Sequence, residues 1–386
     1  MKFLIAPDSF KESMSASTAA HTIAMAIKTC LPEAITLELP LADGGEGTMD
    51  ILVNALDGHK QQHQVTGPLF EPVKACIGLI KSNKIQEQEN TYQADTAIIE
   101  IAETAGLHLV PALQRNPEQT TTFGAGELIR IMLDQNIRRF LVALGGSATN
   151  DGGLGLLVAL GARIYDKAGQ ELPPIGRSLG FVSHLDIRSL DKRLEQCSFM
   201  VACDVTNPLT GPEGASVVFA PQKGATPEQV LSLDQGMVHW AKQLNRFADS
   251  DIERLPGGGA AGGLGAVFHT IFKASLKPGI DQVLESVCFD NLCRNVDWVI
   301  TGEGAIDGQS IAGKTPVGVA KRAKHFGVPV IAFAGKLGEG YKDVYNNGID
   351  MVFCITPENI PFQQALDLAE NYLYQSTIQA VRKIIA

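Results

Sequence analysis

Seven carboxylates, Asp8, Asp43, Glu46, Asp151, Asp204, Glu303 and Asp307, stand in glycine-containing or polar loops that follow short apolar runs. A carboxylate at such a strand end can hold Mg²⁺ beside phosphates or accept the proton of a substrate hydroxyl. Any one of them serves equally well as a helix cap or turn residue, and it is their recurrence in five loops that points to chemistry. Lys11, Lys223, Lys314 and Lys336 are the basic counterparts, each in a glycine- or serine-containing loop. The densest stretch is Leu144-Gly145-Gly146-Ser147-Ala148-Thr149-Asn150-Asp151-Gly152-Gly153-Leu154-Gly155, with five glycines, three hydroxyl or amide side chains and one carboxylate. Glycine lets a backbone approach a charged ligand, and a helix N-terminus aims N–H groups at it, so this stretch reads as an anion or phosphate loop. Histidine and cysteine spacing for zinc or iron is absent, as is a G-x-S-x-G elbow.

The elements that position these loops alternate strand and helix. Phe3–Ala6 is an apolar strand, Ser15 or Ser17 caps a helix that Pro32 ends, and Ile35, Leu37 and Leu39 alternate as a second strand. Two strands joined through a helix run parallel, which brings the Asp8–Ser13 and Asp43–Gly47 loops to one carboxyl edge, where open α/β sheets bind ligands. Gln64–Thr66, Val73–Ile80 and Thr96–Ile101 read as strands of a mixed or antiparallel sheet, with Asn83–Asn90 as a polar hairpin tip. Phe140–Leu144 and Phe199–Cys203 are apolar enough for either sheet. Trp298–Thr301, Val328–Ala334 and Met351–Ile355 restore the alternation, and an amphipathic helix closes the chain. The expected fold is α/β with two α/β domains. Residues 1–66 and 285–386 form a doubly wound, Rossmann-like parallel sheet built from both chain ends, and 67–284 form an inserted mixed α/β domain.

Three familiar patterns fail on context. Gly308–Thr315 spells a P-loop, but its strand is expected to end at Thr301 and Pro316 interrupts. Gly257–Gly262 spells G-x-G-x-x-G, but the polar stretch Asp249–Arg254 precedes it instead of a strand. Thr122–Glu127 resembles the anion hole of ribokinase-like sugar kinases, yet carries Glu where they have Asp and comes early in the chain.

The net charge of −10 excludes broad basic surface for nucleic acid or an anionic membrane. No run reaches 18 apolar residues. Seven scattered cysteines without C-x-x-C suggest free thiols in a reducing compartment, hence a cytoplasmic protein, with a homo-oligomer possible in principle.

The loops taken together resemble a family. Ala6–Ser13, Leu41–Thr48, Gly145–Gly153, Asp204–Leu209, Gly257–Gly265 and Thr301–Gly304 look, in this order from residue 3 to the C-terminus, like the type I glycerate kinases of bacteria. One departure is Glu12, where members often have Gly. The resemblance implies ATP-dependent phosphorylation of D-glycerate, commonly at the 2-hydroxyl, and two α/β domains with the site in the cleft between them. Expected partners are then D-glycerate and ATP, with Mg²⁺, and no nucleic acid or membrane. Asp204 and Asp8 become candidates for the base and Lys11 a catalytic cation. Ser9, Gly145, Gly146, Ser147, Asn150, Asn207, Gly258, Gly259, Gly262 and Lys314 become candidates for substrate or phosphate binding, and Asp43, Glu46 and Glu303 for the metal. A ribokinase-like or other sugar-acid kinase and a non-catalytic organic-acid-binding protein are the alternatives.

Overall fold

The computed structural model describes residues 1–10, 12–42, 47–81, 95–308, 310 and 313–385. Its strands, in chain order, are β1 (Lys2–Ile5), β2 (Ile35–Glu38), β3 (His59–Thr66), β4 (Pro72–Ile80), β5 (Thr96–Glu100), β6 (Arg139–Ala143), β7 (Arg163–Tyr165), β8 (His184–Asp186), β9 (Ser198–Ala202), β10 (Ser275–Lys277), β11 (Trp298–Ile306), β12 (Val330–Leu337) and β13 (Met351–Cys354). The chain divides into two compact units, Met1–Asp43 with Gly279–Ala386, and Gly44–Pro278.

In the first unit the sheet order is β13-β12-β11-β1-β2, parallel throughout. Counted by order of appearance this is 2-1-3-4-5, a common doubly wound order, whose direction reverses between β1 and β11. β1 is an interior strand, between β11 and β2, and Phe3, Leu4 and Ile5 are fully buried, as a continuous apolar run between parallel neighbours requires. The helix Ala16–Cys30 begins at Ser15, whose hydroxyl accepts from Thr18 N at 3.1 Å. Its buried alanine and isoleucine face packs in one core with Leu373, Ala380 and Val381 of the closing helix Ala369–Ile385. The hydroxyls of Thr29 and Tyr374 meet at 2.8 Å at the edge of that contact.

The second unit carries a six-stranded sheet, β10-β9-β6-β5-β4-β3. β10, β9, β6 and β5 run parallel, and β4 and β3 antiparallel. A small antiparallel pair, β7 and β8, lies apart. Both apolar strands left open by the sequence, β6 and β9, belong here. The polar tip expected at Asn83–Asn90 lies outside the described residues. The unit begins at residue 44, not 67: β3 pairs with β4 along eight residues, and the helix Thr48–Ala55 rests on Gly78 through Met49 and Val53. At the other junction β10 pairs with β9, so the second unit ends at 278 and not at 284. Trp240 is fully buried at the centre of this core, its indole N–H donating to Gly152 O at 2.9 Å. Among the described residues no helix is long and apolar enough to cross a membrane.

Candidate functional site

In the first unit the carboxyl ends of β1, β11, β12 and β13 surround a cavity of about 790 Å³. Asp8, Ser9, Glu303, Lys314 and Lys336 line it. Asp8 follows β1, and its N–H donates to Gly302 O at 2.8 Å, which fastens the loop to β11. Thr301 adds a second tie, donating its hydroxyl to Ala6 O at 2.8 Å. The Asp8 carboxylate accepts from Ser9 N at 2.5 Å and from the Thr315 hydroxyl at 2.7 Å. It is therefore held in one orientation at the point where the sheet order reverses.

Glu303 is 8% exposed. Its carboxylate accepts from the Ser310 hydroxyl at 3.0 Å and lies 3.8 Å from Lys314 Nζ, which is also 3.9 Å from Asp307. Burial pushes the Glu303 carboxyl up to about 7, against the pull of Lys314 and Ser310, and the negative charges of Asp8 and Asp307 add to the rise. The folded chain then holds this proton more tightly than the unfolded chain does. The resulting stability is fully present below pH 4.5 and is lost as pH rises through about 7. Without divalent cations, the wild type should lose thermal stability between these limits, and Glu303→Gln should lose less. Parallel melting curves that show no difference between the two would remove this titration.

β11 is longer than the sequence suggests. It runs past Thr301 to Ile306, paired with β12 down to Leu337. The P-loop-like string therefore follows a strand after a single residue, Asp307, and the helix Thr315–His325 starts just beyond Lys314, which stands at its N-cap. Ser310 and Thr315, neither singled out in the sequence, lie in that string, and its pattern was the available signal.

Glu12, also at this cavity, adopts a left-handed φ of 66°. A side chain costs about 1–2 kcal/mol in that region and glycine costs little. Glu12→Gly should therefore raise stability by about 1 kcal/mol, read as a shift in the chemical denaturation midpoint. Lys11, Asp43 and Glu46 lie outside the described residues.

In the second unit the carboxyl ends of β6 and β9 bring Gly145, Gly146, Ser147 and Asp204 to one sheet edge. Gly145 and Gly146 are exposed, as is Asp204. Ser147 is tied inward: its hydroxyl accepts from Lys223 Nζ at 3.1 Å, and the same ammonium donates to Thr149 O at 2.6 Å. Lys223 is 3% exposed, and burial pushes it down to about 8 while Asp151 opposes the shift. Asn207 is half-buried and donates to Glu213 O at 2.8 Å.

Asp151 is fully buried and serves as a double cap. One carboxylate oxygen accepts from Gly153 N at 3.0 Å. The other accepts from Thr122 N at 2.8 Å, the Thr122 hydroxyl at 2.8 Å and Gly155 N at 3.1 Å. Burial raises its pKa and these donors oppose the rise. One side chain thus closes the starts of the helices Leu154–Ala159 and Phe123–Asp134. Asn150 is also buried, donating to the Ser216 hydroxyl at 3.0 Å.

Gly258, Gly259 and Gly262, expected at a phosphate, pack against neighbouring backbone. All three are buried. The N–H groups of Gly258 and Gly259 are occupied by Leu255 O at 2.9 Å and Asn207 O at 3.1 Å. A Cβ on Gly259 would lie 2.3 Å from Pro208 O, and one on Gly262 2.2 Å from Thr149 O. These glycines let two backbone segments touch, and the run Ala261, Gly262 and Gly263 takes left-handed φ to do so. Gly262→Ala should cost about 3 kcal/mol or more through overpacking and strain, measured by chemical denaturation; a loss below about 1 kcal/mol would mean the contact yields freely. The Thr122–Glu127 pattern has the same origin: a Cβ on Gly124 would meet Thr66 O at 2.0 Å, and Glu127 accepts from Thr66 N at 2.6 Å.

The structure thus brings Asp8, Ser9, Glu303 and Lys314 together in the first unit. It gathers Gly145, Gly146, Ser147 and Asp204 at an edge of the second, and places Asn150, Gly258, Gly259 and Gly262 in its interior. A family model described as the glycerate kinase family matches residues 3–385. The glycerate kinase of Bacillus subtilis (strain 168) is 48% identical over 97% of this chain and 95% of its own length. The glycerate 2-kinase of Escherichia coli (strain K12) is 42% identical over 100% of this chain and 97% of its own. A crystal structure of a candidate glycerate kinase 2 from Salmonella typhimurium LT2 aligns with TM-score 0.87 and 42% identity, covering 100% of this chain and 98% of that one. The chain belongs to the glycerate kinase family.

Proposed function

We propose that this chain transfers the terminal phosphoryl group of ATP to D-glycerate, at the 2-hydroxyl, releasing ADP and 2-phosphoglycerate. Family membership carries the reaction class, and the E. coli relative named as a glycerate 2-kinase supports the position. The match over the whole chain does not favour a ribokinase-like sugar kinase or a non-catalytic acid-binding protein.

Phosphoryl transfer depends on positioning and charge neutralisation. In the proposed reaction Asp8 accepts the proton from the glycerate hydroxyl as its oxygen bonds to the γ-phosphorus and the bond to the β-bridging oxygen breaks. Its fixed orientation supports that role, since a base must hold its lone pair on the hydroxyl. Asp204, at the sheet edge of the second unit, is the other candidate acid, and Lys11 a further cation. Lys314 offsets negative charge on the phosphoryl group in flight, and Ser9 donates to it or to the glycerate carboxylate. Gly145 and Gly146 offer exposed backbone to an anionic substrate, next to the buried Ser147 that Lys223 holds.

The donor set of the cavity suits Mg²⁺. Glu303 is a hard oxygen donor whose charged form is disfavoured by burial and by Asp8 and Asp307, and a divalent cation would relieve both. Mg²⁺ commonly takes one or two carboxylates plus substrate phosphates, and Glu303 would supply one; Asp43 and Glu46, the other candidates, lie outside the described residues. When bound it neutralises charge on the phosphates. Seven free cysteines support a cytoplasmic setting, and the net charge supports small-molecule partners over nucleic acid or membrane.

The test is an ADP-release assay with D-glycerate, L-glycerate and a panel of sugars, with the product identified by phosphorus NMR. ADP release with D-glycerate and a 2-phosphoglycerate resonance are expected. A 3-phosphoglycerate product would correct the position, and turnover with sugars alone would reject the reading.

A further inference from the structure

The first-unit cavity has two chemically different walls. One is charged, built from Asp8, Glu303, Lys314 and Lys336 at the strand ends. The other is apolar, built from Ile360, Phe362 and Leu366 after β13. Phe362 is 71% exposed, an aromatic ring left in water at the cavity rim. A three-carbon hydroxy acid needs only the charged wall, and it would fill a small part of about 790 Å³. A nucleotide needs both walls and a cavity of this size, since pockets for ligands of that class run to about 300–1,000 Å³.

Resting on the reading that ATP is the phosphoryl donor, we propose that the wall of Ile360, Phe362 and Leu366 is the adenine subsite, with the phosphates directed to Lys314 and Lys336. Phe362 stacks on the base, which a flat apolar face does for any purine. Ile360 and Leu366 cover its edges, and removing this surface from water drives the base to that end. The terminal phosphate then lies at Asp8 and Glu303. This orientation brings the terminal phosphate to Asp8, the proposed base, and it predicts tolerance among purine nucleotides, because stacking reads ring surface more than ring substituents.

Cys354 supplies a reporter. It lines the same cavity at the end of β13 and is exposed, the other six cysteines being half-buried or buried. Iodoacetamide labelling of the intact chain, followed by peptide mass spectrometry, should be slowed severalfold at Cys354 by ADP or adenosine. D-glycerate and inorganic triphosphate should leave the labelling rate unchanged. Phe362→Ala, at an exposed position that folding does not need, should raise KM for ATP about 10-fold or more and leave KM for D-glycerate within twofold.

Protection by glycerate and not by adenosine, or a Phe362→Ala enzyme with unchanged KM for ATP, would overturn the subsite. Protection by adenosine in a chain that fails to phosphorylate glycerate would leave the subsite standing and reject the proposed function. Turnover of glycerate without adenosine protection would do the reverse.

Discussion

Asp8→Asn should lower kcat by about 10²–10⁴-fold, the range that a positioned general base contributes. Asparagine has the same shape, and its amide oxygen can still accept from the Thr315 hydroxyl or from Ser9 N, so the loop should keep its course. What it lacks is a lone pair basic enough to take the glycerate proton. The loss should therefore fall on kcat, with KM for ATP and for glycerate little changed, because the substituted amide still occupies the carboxylate's space. Thr315→Val offers a milder companion: it removes the donor that orients Asp8 and leaves the carboxylate in place, so it should cost less than Asp8→Asn. Asp204→Asn is the control in the same assay. A loss below about tenfold at Asp8, with a larger one at Asp204, would transfer the base to the second unit.

Asp151→Ala should destabilise the second unit by about 4 kcal/mol or more. It strands three buried backbone N–H groups and one hydroxyl, and each unmade hydrogen bond of that kind costs about 1–3 kcal/mol. It also leaves the Lys223 ammonium, which is buried, without the carboxylate that opposes its loss of charge. Against a total stability of about 5–15 kcal/mol for a typical domain, that is enough to lower the yield of folded chain. Asp151→Asn keeps one acceptor and should lose less. The effects of Asp151→Ala and Lys223→Met should not add, since the second substitution removes the charge that the first leaves unopposed. Denaturant midpoints of the two single variants and the double variant measure this directly, and simple additivity would show that the carboxylate and the ammonium act independently.

Much of the chemistry was legible because it rests on local residue types. Asp8 and Glu303 each follow an apolar run and a small residue, and two parallel neighbouring strands necessarily deliver them to one edge. β1 was legible because it is apolar at every internal position. The length of β11 was not: Gly302-Glu303-Gly304 reads as a loop, yet it continues the ladder. Glycine is needed there for proximity, since a Cβ on Gly302 would lie 2.7 Å from Phe333 O, and one on Gly335 2.6 Å from Gly304 O. The same ambiguity applies to Gly257–Gly265, where the neighbour of Gly259 and Gly262 is backbone. A glycine run that lets backbone meet phosphate and one that lets backbone meet backbone have the same spelling, and only the neighbour distinguishes them. The start of the second unit at residue 44 was hidden for a related reason. The helix Thr48–Ala55 is the next described element after β2, but its apolar face docks on β4, some twenty residues further on, and periodicity reports that a face is buried without saying against what.

The pairing of β1 with β11 has a consequence for synthesis. Phe3 waits for Trp298, and Leu4 for Val299, before β1 has its second neighbour. Translation at about 5–20 residues per second imposes a delay of roughly 15–60 s between the two. During that interval the uninterrupted segment Gly44–Pro278 can complete its own core on the ribosome, while Phe3, Leu4 and Ile5 have β2 on one side and an open strand edge on the other. Nascent chains should therefore carry that open edge until the last hundred residues emerge, and protease should cut arrested chains near β1 more readily than the finished protein.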